Sequence, residues 1–497
     1  MTKKSVDRHF AICSLVVSVI GVAFYVGALL KRFAVLDDYR KLLEVNNGMR
    51  LFGIEQGMAG TLWVSGRVFP AVVSGVVWSI ATDISRLSLL RILGLIAVIA
   101  SIVLMTRLAR RISAPRETHV GTVVSSITGM GSLLFLPTVG ATVTFATLAV
   151  PLIAIPTALL AGSLISVPSP SVHRITGAMV LVFVSVFSYQ QMAVLATLPV
   201  FLWSATRFVQ GELRSLPLKQ IGLVIGMLAA GLLSNLFFVS LVSPSALERV
   251  TSVSLSTKLA NAITSYIPKS LHLFLDKDHR LFVVSLAMFV VLSVASMTMW
   301  RPAWALLTAV LASYSVSAIL FLGTDGDASY RLVLPGQFIL WGGLLVTFLS
   351  AVSHRPAPET NSWILNVMPL LILFGTTLTQ AREITYDRIS SANASDFANL
   401  ECHMDRSYSS LIDHDEVLLR LRPVELSGDR GVHSEIGLLA SHIGWVAIDM
   451  WDVLVSSEQR FASLTDTQIR AVEHDIEDSG SGTGNVIDLS VQCVSDQ

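Results

Sequence analysis

The sequence predicts a mainly α, polytopic helical membrane protein of eleven spans that ends in a small α/β domain outside the bilayer. Two observations carry that prediction. Of the 497 residues, 53% are hydrophobic and only 14% charged, and the mean hydropathy is +0.66, too apolar for a water-soluble chain of this length. The formal net charge of zero hides a division, because residues 1–380 hold 27 Lys and Arg against 14 Asp and Glu, whereas residues 381–497 hold 8 against 21. The last lysine is Lys277. The chain is therefore divided into a transmembrane domain, 1–380, and an acidic soluble domain, 381–497.

The first apolar run, 10–30, carries no charge and is long enough to cross a hydrocarbon core of roughly 30 Å. No small-x-small cleavage site follows it, so an uncleaved first span is expected. Further spans are predicted at 87–105, 120–137, 141–167, 220–242, 281–300, 303–322, 332–352 and 363–380. The run 175–206 is interrupted by Tyr189, Gln190 and Gln191 and reads either as one tilted helix or as a hairpin of two short ones. Orientation favours the hairpin. Lys and Arg collect in short cytoplasmic connections, and Arg107, Arg110, Arg111 and Arg116 form the first strong cluster. With Lys3, Lys4 and Arg8 on the same side, Arg207, Arg214 and Lys219 join them only if 175–206 crosses twice. The N-terminus is then cytoplasmic, while the loops 31–86 and 243–279 and the acidic domain are extracytoplasmic. The seven basic residues of loop 31–86 weigh against this orientation.

In the acidic domain, 417–421 and 486–489 read as strands and 434–457 as a helix carrying Trp445 and Trp451. Cys402 and Cys493 both fall there, and on an oxidising face they either pair as a disulfide or remain two thiols. Cys13, inside the first span, reads as a buried inert thiol.

Polar groups are costly in hydrocarbon, so their placement is the sharpest functional signal. Arg91, Gln190, Gln191, Asn235, Arg331 and Gln337 all fall toward the outer ends of their spans, whereas the inner halves are mostly Leu, Val, Ala and Ile. Each alone reads as an interfacial anchor; together they suggest a water-accessible cavity opening outward. The most specific local signal is Asp37-Asp38-Tyr39, a few residues beyond the first span. Neighbouring side chains diverge by about 100° in a helix, so the two carboxylates do not form a shared-proton dyad. One is suited to act as a base toward a hydroxyl and the other to position a substrate or a cation. Farther along, 68–81 is an apolar stretch with Trp78 that suits a helix lying in the interface. Lys258, Lys269, His272 and Lys277 in the second outer loop are suited to an anionic headgroup or phosphate. There is no phosphate-cradling GxxxxGK[ST], no HExxH, no paired CxxC and no GxSxG elbow, which disfavours ATP-driven pumping and zinc proteolysis. No fixed-period repeat stands out, which weakens an inverted-repeat transporter.

A first span leading at once into an outer loop with Asp37-Asp38-Tyr39, then an interfacial apolar segment, then a basic inner loop, resembles the GT-C class of membrane glycosyltransferases. Within that class the chain is most similar to bacterial glucosyltransferases that modify O-antigen. Leu89-Leu90-Arg91, Tyr189-Gln190-Gln191, Tyr330-Arg331 and His433-Ser434-Glu435-Ile436-Gly437 before Trp445 add to the likeness. The resemblance implies a polyprenyl-phosphate sugar as donor, a glycan or lipid acceptor, and a place in the bacterial cytoplasmic (inner) membrane. It implies that Asp37 or Asp38 deprotonates the acceptor hydroxyl. Arg67, Lys269 and Arg331 would stabilise the leaving phosphate, with Tyr39, Arg91, Tyr189, Gln190 and Gln191 lining the substrate site. It leaves the need for a divalent metal ion open. Membrane lipids are expected partners and nucleic acid is not. The competing readings are a lipid-linked glycan flippase and a polysaccharide polymerase.

Overall fold

The computed structural model describes residues 3–46, 67–78, 83–113, 120–212, 217–242, 253–274, 279–324, 329–354, 362–421, 439–465, 467–472 and 485–493. Helix α1 (Lys3–Leu29) is followed by the short amphipathic α2 (Asp37–Asn46) and the apolar α3 (Val68–Trp78). Next come α4 (Leu87–Ile112), α5 (Val120–Leu134), α6 (Pro137–Val143), α7 (Ala154–Ile165), α8 (Val172–Ser188) and α9 (Thr197–Val209). Helix α10 (Leu218–Val242) precedes two short helices, α11 (Leu255–Asn261) and α12 (Ile267–Leu271). Then follow α13 (His279–Met299), α14 (Ala303–Phe321), α15 (Tyr330–Gln337), α16 (Gly343–His354), α17 (Ser362–Arg382) and α18 (Ala392–Leu411). The chain closes with β1 (Glu416–Arg420), α19 (Gly444–Ser457), β2 (Gln468–Val472) and β3 (Asn485–Asp488).

Among the described residues, seven helical stretches are long and apolar enough to cross a membrane: Ala11–Leu29, Ile84–Ile112, Met192–Val209, Leu218–Val242, Arg280–Met299, Ala303–Phe321 and Arg331–His354. An eighth forms if Val123–Leu134 and Pro137–Val143, bent by 54°, are one span. The differences from the eleven expected have local causes. Proline lacks an N–H and clashes with the preceding turn, and Pro137 stands at the bend that splits 120–143. Pro151 opens a tight turn inside the predicted span 141–167 and leaves only Pro151–Ile165 as continuous apolar helix. The run 175–206 is two helices: α8 ends at Ser188, Tyr189 is extended, and a tight turn at Met192–Ala196 leads into α9. Pro335 does not break its helix. A wide π turn at Phe338–Gly342 carries the chain on into α16.

The stretch Arg331–His354 is 94% buried, against 17% for Arg280–Met299, so α15 and α16 form the centre of the bundle and α13 its rim. One apolar cluster fills that bundle, with Phe135, Leu198, Trp341 and Leu345 among its members. A second cluster joins Ala34, Tyr39, Leu42 and Trp78 from the first loop to Phe397, Leu400, Val446 and Trp451 from the acidic domain. The two parts of the chain thus share a core.

The compositional boundary near residue 381 lies inside one helical run, since α17 passes through a π stretch at Glu383–Ser391 directly into α18. Beyond it, the three strands form a parallel sheet in the order β2-β1-β3. Two of the strands lie where the sequence predicts them, and β2 is additional. Of the predicted helix 434–457, Gly444–Ser457 is observed as α19; 439–443 is instead a loop with a tight turn at Ala440–His442 that ends in an extended Ile443, and residues 434–438 lie outside the described residues.

Candidate active site

The turn before α2 sets the site. Leu36 has φ of 36°, a left-handed conformation that a branched side chain adopts only when its surroundings impose it. The surroundings here are explicit. Val35 N donates to Asp38 Oδ2 at 3.3 Å, and Asp38 N donates to Val35 O at 2.8 Å, closing the turn from both sides. Ala146 N and Thr147 N donate to the same carboxylate at 3.3 and 3.0 Å. Arg91 Nη2 lies 3.5 Å from Asp38 Oδ2, and neither side chain is exposed.

Arg91 is equally committed. Its Nε donates to Thr144 O at 2.8 Å and its Nη2 to Phe33 O at 2.6 Å, while the guanidinium sits 3.7 Å from the Phe33 ring centroid. Burial pushes the Asp38 carboxyl up from the ordinary carboxylate range, and the Arg91 charge with the three amide donors pulls it back. Of the two adjacent carboxylates, Asp38 is therefore a structural pin. Asp37, partly exposed at the first position of α2, is the one that reaches solvent. Arg91, expected on an outward cavity, is instead buried against backbone carbonyls.

The acidic domain grips the same helix. The buried Tyr39 ring stacks on Phe397 of α18, centroids 6.3 Å apart, and burial lifts its hydroxyl well above the ordinary tyrosine value. Arg40 Nε lies 3.3 Å from Asp449 and its guanidinium 4.7 Å from the Trp445 ring. Lys41 is buried with its ammonium over Trp78. Arg32 pairs with Glu401 and Glu458. Cys402 and Cys493 form a disulfide with Cα atoms 6.0 Å apart.

The remaining expected residues gather in a second group. The Arg67 guanidinium lies 4.7 Å from the ring of buried Tyr189. Gln190 Nε2 donates to Asn235 Oδ1 at 3.0 Å, and Gln191 Nε2 to Leu320 O at 3.0 Å. Lys269 on α12 and Arg331 on α15 are partly exposed on helices that pack together. Gln337, wholly buried, accepts from Thr138 Oγ1 at 2.5 Å and donates to His272 O at 2.7 Å.

The two groups are joined by α6. Thr138 near its start meets Gln337, and Thr144 just past its end meets Arg91. At a rise of 1.5 Å per residue those anchors stand about 9 Å apart. The carbonyls and amides of Phe33, Val35, Thr144, Ala146 and Thr147 have no side-chain signature, so only the folded chain exposes their part in the site. Among the described residues, no group of three or more His, Cys, Asp or Glu is arranged to hold a metal ion. His433, Ser434, Glu435, Ile436, Gly437 and Lys277 lie outside the described residues, as does most of the segment 47–66. Comparison with family models, with curated proteins and with solved structures returns no match.

Proposed function

We propose that the protein is a membrane glycosyltransferase that moves a sugar from a polyprenyl-phosphate donor to a cell-envelope glycan or lipid on the extracytoplasmic side. The observation that carries this reading is the split between two adjacent carboxylates. Asp38 is locked by Arg91 and three amides, and the strained turn at Leu36 leaves Asp37 facing solvent at the head of α2. In the proposed step Asp37 takes the proton of the acceptor hydroxyl as its oxygen attacks the anomeric carbon. The bond from that carbon to the phosphate oxygen breaks, and the lipid phosphate leaves with both electrons. Arg67, Lys269 and Arg331 then offset its charge, as fixed donors do where charge develops in a transition state.

Eleven helical passages belong to the same reading, with α7, α8 and α17 crossing alongside the eight stretches above. An odd number sets the two termini on opposite sides, so the acidic domain faces the donor phosphate. The Cys402–Cys493 disulfide supports that orientation, because such bonds persist in oxidising compartments. The bacterial cytoplasmic membrane is the matching location.

The test compares envelope glycans by mass spectrometry in cells with the wild-type protein, without it, and with Asp37→Asn. Loss of one hexose-sized unit in both altered strains is the expected result. A general base contributes about 10² to 10⁴ in rate, so Asp37→Asn should give near-complete loss at normal expression. Full modification in that strain would remove the base assignment. Loss of whole chains would point to a polymerase or a flippase instead.

A further inference from the structure

Helix α19 turns almost all of itself inward: Val446, Ala447, Met450, Trp451, Val453 and Leu454 are buried. What it leaves to solvent is Trp445, Asp452, Ser456 and Ser457, and the first three lie on one stripe, with the buried Asp449 between Trp445 and Asp452. Residues three, four and seven apart share a helix face, so this is a single ridge. Trp445 is 42% exposed, a large aromatic surface open to water in an acidic domain. Its indole is nonetheless held, because the Arg40 guanidinium lies 4.7 Å from the ring and is tied to Asp449 at 3.3 Å.

Arg40 is three residues after Asp37 on α2, hence on the same face and one turn away, with Cβ atoms about 5–6 Å apart. An exposed indole and the Asp452 carboxylate thus share one stripe of α19, and the planar five-donor guanidinium that rests on the indole stands one helical turn from Asp37. That combination suits a sugar ring. The C–H face of a pyranose packs on an indole, and its hydroxyls take hydrogen bonds from planar charged groups. An anionic lipid headgroup does not fit, since the Arg40 charge is already paired with Asp449 and the exposed charge on the stripe is the Asp452 carboxylate.

We propose that Trp445, Asp449 and Asp452 of α19, together with Arg40, form an acceptor-sugar subsite that seats the acceptor glycan with a hydroxyl toward Asp37. This rests on the transferase reading and adds the substrate-binding surface to it. The probe is the unmodified oligosaccharide released from the envelope of cells that lack the protein, titrated calorimetrically into full-length protein in lipid nanodiscs. Trp445→Ala and Asp452→Asn are each expected to weaken binding about tenfold, and Trp445→Phe to keep most of the affinity. Asp452 is exposed, so its variant reports on the site without a change of fold. Asp37→Asn should bind as wild type and transfer nothing. Wild-type affinity and acceptor KM in both Trp445→Ala and Asp452→Asn would overturn the subsite while leaving the transferase standing, as would a wild-type protein that transfers sugar without measurable affinity for the oligosaccharide. Oligosaccharide affinity that falls in Trp445→Ala, in a protein that transfers no sugar, would retain the subsite and overturn the reaction.

Discussion

The Asp38 carboxylate and the Arg91 guanidinium stand 3.5 Å apart with neither side chain exposed, although 53 residues of sequence separate them. This pair fixes the turn after the first membrane helix to the head of α4. It also explains why two neighbouring aspartates differ in what they can do. A buried ion pair adds little net stability, but removing one partner leaves an uncompensated charge.

Arg91→Met and Asp38→Asn are each expected to lower stability by about 3–5 kcal/mol. Because the two groups share one interaction, the double variant should lose less than the sum. Thermal unfolding in detergent checks this. Losses that simply add would show that the pair is not a unit.

The Cys402–Cys493 bond closes a loop with a sequence separation of 91. Constraint of an unfolded loop of that length is worth about 4–5 kcal/mol, so Cys402→Ser should destabilise the acidic domain by roughly that amount. Limited proteolysis around β1–β3 measures it. Maleimide should label the wild-type pair only after a reductant is added, and labelling without one would refute the pairing.

Gly162 of α7 faces the carbonyl of Ala196 so closely that an added Cβ would collide with backbone. Gly162→Ala should therefore cost about 1–3 kcal/mol by prising α7 from the turn that starts α9. Gly222 has nothing within 4 Å of its Cβ position, and Gly222→Ala should be neutral or stabilising by up to about 1 kcal/mol. Equal melting temperatures for the two variants would contradict the close approach.

The Asp452 side chain is open to water, but the packing of α19 partly desolvates its carboxyl and raises it above its ordinary value. The folded state then holds that proton more tightly than the unfolded one, so stability is greatest below the unfolded value and falls as pH rises through the folded one. Above about pH 4, the ordinary aspartate value, Asp452→Asn should flatten this decline in the melting temperature. An unchanged slope would mean that another group governs it.

What the sequence made legible was whatever depends on local composition. The runs 10–30, 87–105, 220–242, 281–300, 303–322 and 332–352 overlap helical stretches of spanning length, because uninterrupted apolarity needs no partner to be recognised. Proline was ambiguous: Pro137 and Pro151 stand at breaks, while Pro335 is absorbed by a π turn. Strand β2 was missed because the alternation in Gln468–Val472 lasts only five residues and none of them is fully buried, so it lacks the apolar run that marks β1. Asp37 and Asp38 could not be ranked either. The difference between them lies in amides of Ala146 and Thr147, 108 and 109 residues away.

The pairing of Arg32 with Glu458 spans 426 positions. At roughly 5–20 residues per second of synthesis, the turn after α1 waits from about twenty seconds to more than a minute before its partner exists. During that interval Tyr39 and Trp78 have no Phe397 or Trp451 to cover them. The segment made almost first is thus among the last to settle, and a ribosome that stalls before α18 would leave the bundle inserted but the core around α2 unfinished.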